Sequence, residues 1–162
     1  MSLLTHGDLV NIAEKWLLKR CGFAFSELNT LSYETPDAIG FRQGGSILIE
    51  CKTSRADFLS DKKKIFRANP YMGVGLFRFY MCPDGLIKPT ELPEKWGLLY
   101  VKETGKVSKK VGPKGNVWSS DNNAWAFTDR NKQNETALMY SALRRLHLRG
   151  VMPMIYERLE GK

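Results

Sequence analysis

Apolar residues recur at helical spacing near the start of the chain. Leu9, Ile12, Ala13, Trp16 and Leu17 fall on one face, and Thr5 with Asp8 forms a capping pair, which predicts a helix from Thr5 to about Arg20. Cys21-Gly22 ends it. Phe23 to Thr30 alternates loosely between aromatic and polar residues, as a strand does, and a second strand starts at Pro36 and runs to Phe41. The turn pair Gly44-Gly45 then leads into Ser46 to Thr53, whose run Ile47, Leu48, Ile49 predicts a well-buried hairpin arm. Ser54, three positions before Asp57, opens a helix to about Arg67 with Phe58, Leu59, Ile65 and Phe66 as its core face, and Pro70 stops it.

Leu76 to Cys82 reads as a buried strand closed by Pro83-Asp84-Gly85, and Gly97 to Val101 as another. Between Lys102 and Ser120, five lysines and three glycines suit a mobile hairpin or loop more than core. The last element, from about Gln133 to Arg149, carries Leu138, Met139, Ala142 and Leu146 on one face. The order helix, three strands, helix, strand, strand, helix predicts one α/β domain over residues 1–162 around a mixed sheet. Its core covers about 5–101, followed by the basic loop at about 102–120 and the C-terminal helix at about 133–149.

Composition adds a direction. With 25 Lys plus Arg against 17 Asp plus Glu, the formal charge is +8. Such a surface attracts polyanions, nucleic acid first among them, although solvated lysine faces give the same count. Cys21, Cys51 and Cys82 match neither a disulfide framework nor paired zinc ligands and read as reduced, partly buried thiols. Met1 to Leu4 is too short for a signal peptide and no run approaches a membrane span, so a cytoplasmic location, in a bacterial or phage-infected cell, is expected. A deaminase is disfavoured because its zinc pattern is absent, and so is a P-loop.

The residues that carry chemistry are Asp37, at the start of one strand, and Glu50-Cys51-Lys52 on the next. Strand alternation puts Glu50 and Lys52 on one face, ~6 to 7 Å apart, a spacing that suits a metal and its attacking water. Burying unpaired charge costs several kcal/mol, so two charged residues after an Ile-Leu-Ile run need a reason. Taken alone, they also fit a strand leaving the core at Glu50 with a surface ion pair. Asp37 offers a second carboxylate for a hard cation, and Glu14, at the border of the first helix's apolar face, a third. His6 shares that helix's spacing and reads as a cap or surface group. Asp57 and Asp61 form a like-charge pair at i and i+4, read most simply as a helix-start charge and a partner of Lys64.

Glu14, Pro36-Asp37 and Glu50-Cys51-Lys52, in this order and on these elements, resemble the PD-(D/E)XK nuclease superfamily. The stretch Lys52-Thr53-Ser54-Arg55-Ala56-Asp57-Phe58-Leu59-Ser60-Asp61-Lys62 is similar to that of MmcB-type DNA-repair-associated proteins within it. The likeness spans about Thr5 to Val101. It implies a restriction-endonuclease-like αβββαβ core and Mg2+-dependent hydrolysis of phosphodiester bonds, with Mn2+ able to substitute, in DNA repair, recombination or phage DNA processing. It further implies that Asp37, Glu50 and the Cys51 carbonyl bind the metal, that Glu14 joins through a second metal or a water, and that Lys52 acts as base or as charge stabiliser.

Arg55, Lys62, Lys63, Lys64 and Arg67 would form a basic edge for DNA phosphates, joined by Lys109, Lys110 and Lys114 of the basic loop. Trp118, Trp125 and Phe127 read either as base-stacking groups or as core. Two rival readings stand beside the nuclease: a DNA-binding module with little or no turnover on the same fold, and a basic interaction protein. A homo-oligomer or a recruiting protein partner is compatible with each.

Overall fold

The computed structural model describes residues 3–30 and 34–161; Met1 and Ser2 of the short apolar start lie outside them. Helix α1 (His6–Leu18) begins at Thr5, whose hydroxyl and backbone exchange hydrogen bonds with Asp8 in a complete capping box. The strands follow as β1 (Phe23–Ser26), β2 (Ala38–Arg42) and β3 (Gly45–Cys51), then short helices α2 (Arg55–Asp61) and α3 (Ile65–Ala68). Strands β4 (Phe77–Pro83), β5 (Trp96–Val101) and β6 (Val107–Val111) precede helix α4 (Lys132–Leu148). The fold is α/β. The six strands lie in sequence order; β3, β4 and β5 run parallel, and the outer pairs are antiparallel.

Both faces of the sheet are covered, which is why β3 is buried at every position and reads as a continuous apolar run. Ile47, Ile49 and Cys51 pack with Phe77, Phe79 and Met81 against Leu9, Ala13 and Leu17 of α1. Leu48, Tyr80, Cys82 and Leu98 face the other way, onto Phe58 of α2, Phe127 and Leu138 of α4. The β2–β3 hairpin turns at Gln43-Gly44, where Gly44 supplies the left-handed φ of +75° that a side chain would resist. Among the described residues no helix is long and apolar enough to cross a membrane.

Four expectations are corrected. The helix predicted from Ser54 to Arg67 breaks at Lys62 to Lys64, and Leu59 and Ile65 are exposed. Six residues along an unbroken helix turn about 240°, so Asp61 and Arg67 would point apart; the break brings Arg67 Nε to 3.0 Å from Asp61 Oδ2. The basic stretch after Val101 contains a strand, β6. A bulge between Leu98 and Leu99 puts Val107 on one face and Val111 on the other, which hides the alternation, while Lys109 and Lys110 occupy an exposed edge as edge lysines commonly do. The first strand stops at Ser26 rather than Thr30, because Glu27 adopts a left-handed φ of 49°. Helix α4 buries Leu138, but Leu146 is exposed.

The aromatics after the basic stretch are structural. Phe127 is buried, and Trp125 packs against the core. Trp118 meets Phe77 edge to face and donates its Nε1–H to Arg20 O at 2.8 Å.

Candidate active site

Because β2 runs antiparallel to β3, the residue before β2 lies beside the C-terminal end of β3. Asp37 stands there, and its Oδ2 accepts the Cys51 N–H at 2.8 Å, which fixes the carboxylate against the strand end. Its Oδ1 lies 3.5 Å from His6 Nε2, the first residue of α1, and the same nitrogen is 3.1 Å from Glu27 Oε1. The Glu27 N–H donates to Asp37 O at 3.0 Å. One donor atom from each of His6, Glu27 and Asp37 lies within 4.8 Å of the others.

Glu50, on the face of β3 away from Ile49 and Cys51, and Lys52 just beyond the strand enter a buried set of charges. Glu50 Oε1 is 3.0 Å from Arg67 Nη2, and Glu50 Oε2 is 3.9 Å from Lys52 Nζ. Arg67 also holds Glu34 Oε1 at 2.7 Å and Asp61 Oδ2 at 3.0 Å. Asp61 is completely buried; it accepts the Tyr80 hydroxyl at 2.6 Å and lies 3.4 Å from Lys52 Nζ and 3.0 Å from Lys64 Nζ. Three carboxylates therefore face three cations.

Burial pushes the Glu50 carboxyl well above the usual range; Arg67 opposes this, and Asp37, Glu34 and Asp61 add to it. Burial would raise Asp61 too, but Arg67, Tyr80, Lys52 and Lys64 outweigh it and hold Asp61 below the ordinary carboxylate range. The thiols of Cys21 and Cys82 are pushed up to about 11 by burial, so neither is a nucleophile at neutral pH.

The predicted residues thus fall into two groups. Asp37 joins His6 and Glu27, whereas Glu50 and Lys52 join Asp61, Arg67 and Glu34. Glu14 leans toward the sheet as expected, accepting the Ser26 hydroxyl at 2.9 Å, one residue from Glu27. Cys51 enters through its N–H. The basic edge is corrected at Arg67, whose side chain is 2% exposed and spent on carboxylates. Arg55 is exposed but bound to Glu91 Oε1 at 2.5 Å, and Lys62 donates to Glu91 O at 3.0 Å. Lys63, Lys110 and Lys114 are exposed, and Lys109 donates to Pro113 O.

For the divalent ion that the resemblance implies, His6, Glu27 and Asp37 are a suitable donor set. Two carboxylates suit Mg2+ or Mn2+, and the imidazole adds preference for a transition ion. Glu50 is outside this set, since both its oxygens face cations. Beside His6 opens a cavity of about 640 Å³, lined also by Thr53, Asp84, Lys102 and Glu103 beyond the ends of the parallel strands, where open α/β sheets bind ligands.

His6, Glu27 and Glu34 were not legible as site residues. Nothing local distinguishes Glu27 or Glu34, which reach their partners through the turn at Glu27 and through tertiary packing. For Asp61 a signal existed: a like-charge pair with Asp57 calls for a nearby cation, and Lys52, Lys64 and Arg67 supply it.

No protein-family model matches the chain, and no curated protein matches it. Among solved structures it is similar to a protein of unknown function from Silicibacter pomeroyi, with 22% identity and a TM-score of 0.55 over 97% of this chain and 99% of that one. That likeness concerns the fold alone and agrees with the α/β architecture.

Proposed function

We propose that this chain is a metal-dependent nuclease that hydrolyses phosphodiester bonds of DNA. The observation that carries the reading is Asp37, locked by the Cys51 N–H at the end of β3 with its second oxygen turned toward His6 and Glu27. The helix, the three antiparallel strands and the crossover through α2 and α3 to a parallel β4 are consistent with a restriction-endonuclease-like core.

Asp37, Glu27 and His6 would hold the ion, which when bound offsets phosphate charge and makes water a better nucleophile. Lys52 supplies a cation just beyond the end of β3, set between Glu50 and Asp61. Glu50 orients Lys52, and Arg67 and Tyr80 position Glu50 and Asp61 in turn. These last four act through Lys52 rather than on the substrate.

The test is incubation of labelled single-stranded and duplex DNA with Mg2+ or Mn2+. The expected result is metal-dependent cleavage by the unsubstituted chain and loss of at least about 100-fold in Asp37→Asn, the scale on which preorganised charge contributes to catalysis. Tight, salt-sensitive binding without cleavage under either metal would instead mark a DNA-binding module.

A further inference from the structure

Helix α1 and the β5–β6 hairpin enclose a groove of about 580 Å³. Its charged lining residues are Lys15, Lys19, Arg20 and Lys106, with no carboxylate among them. At one end Thr104 is shared with the cavity that contains His6. At the other, Lys19 and Arg20 are shared with a cavity of about 360 Å³ reaching Trp118, over whose ring Arg42 lies at 4.9 Å. Arg20 is itself fixed, stacked 3.5 Å from the Trp16 ring and donating to Trp16 O at 2.9 Å. Lys109 adds a further cation close enough to Arg20 that burial and that like charge together lower its pKa. On the α2 side, by contrast, Arg55 and Lys62 are taken by Glu91, and Lys64 and Arg67 by buried carboxylates. The groove beside α1 thus gathers four cations with no carboxylate in its lining.

We propose that this groove is a backbone track for DNA, holding successive phosphates on Lys15, Lys19, Arg20 and Lys106 and delivering the strand past Thr104 to the cavity beside His6. An open run of cations on a rigid helix and a strand hairpin binds phosphate without reading bases. From His6 to Arg20 the helix spans about 20 Å, which matches roughly six phosphates at about 3.4 Å of axis rise per strand. Lys102 continues the positive lining at the mouth, where Asp84 and Glu103 also line the cavity. The direction of delivery rests on the nuclease reading; the binding does not.

The experiment is fluorescence anisotropy of a labelled oligonucleotide, single-stranded and duplex, over a salt series in EDTA, so that no cleavage is needed. The triple variant Lys15→Gln, Lys19→Gln, Lys106→Gln is compared with Lys132→Gln, Arg144→Gln, Arg158→Gln, which removes equal charge from exposed positions elsewhere. For the groove triple, Kd should weaken by about ten-fold or more and the salt slope should fall by about 2–3, with the control within about two-fold of the unsubstituted chain. Circular dichroism of both triples confirms that they are folded; should the groove triple not be, Lys19→Gln alone is expected to lower the slope by about 1. Equal weakening in both triples, an unchanged slope in the groove variants, or no binding of either DNA by the unsubstituted chain overturns the proposal. Absence of cleavage with intact groove-dependent binding would instead count against the nuclease reading alone.

Discussion

Replacing Arg67 with methionine is expected to lower the thermal unfolding midpoint by about 6–20 °C at neutral pH, taking about 3–5 kcal/mol for removing one partner of a buried ionic set and about 2–4 °C per kcal/mol at this chain length. The reason is the company Arg67 keeps. Glu34, Glu50 and Asp61 each contact its guanidinium, and all three are buried. Methionine fills much of the space but removes the cation that Glu34, Glu50 and Asp61 share.

The loss should depend on pH, and its sign follows from the two carboxyls whose titration is displaced. Asp61 titrates below its ordinary value, so its contribution is complete above about pH 4, the unfolded value, and drains away as pH falls through the lower folded value. Glu50 titrates well above, so its charged form works against folding as pH rises through the interval between its unfolded and folded values. Without Arg67, whose charge lowers both, Glu50 and Asp61 bind protons more readily in the folded state. The deficit should therefore be larger at pH 8 than at pH 5. Thermal unfolding followed by circular dichroism at both pH values measures this; a shift under about 2 °C, or the same shift at both pH values, would mean that Arg67 is not what holds the buried charges.

Lys52→Met is expected to reduce metal-dependent DNA cleavage by about 100-fold or more, with the secondary structure retained at 20 °C. Lys52 is 7% exposed and stands between Glu50 Oε2 and Asp61 Oδ1. A cation placed by two buried carboxylates reaches the strand end in one position, and that fixed placement is what makes a charge effective on a developing transition state. Single-turnover cleavage with Mn2+ separates this from weaker binding, because saturating enzyme removes the affinity difference. Activity within about three-fold of the unsubstituted chain would remove Lys52 from the chemistry.

The central elements were legible because their signals are local. The period of Leu9, Ala13 and Leu17, the box at Thr5 and Asp8, and the Ile47 to Ile49 run each carry their own explanation, and together they set α1, the hairpin and the placement of Asp37 beside Cys51. Glu50 and Lys52 stood out because charge after an apolar run needs a reason, and that reason is an internal set of partners rather than solvent. What was hidden depends on the chain returning. Arg67 looked like one more cation in a lysine-rich helix; only the break after Asp61 turns it inward. Strand β6 was masked by a bulge that separates Val107 from Val111 in facing. His6 and Glu27 meet Asp37 from a different helix and a different strand end, and no spacing in the sequence records that convergence.

If Asp37 anchors a divalent metal centre, Mn2+ should bind at its free oxygen. A crystal structure of the chain with Mn2+, phased at the manganese edge, tests it most directly. One anomalous peak is expected within bonding distance of Asp37 Oδ1 and in reach of His6 Nε2 and Glu27 Oε1. Manganese bound elsewhere on the chain, or none at Asp37 with millimolar Mn2+ present, would contradict it.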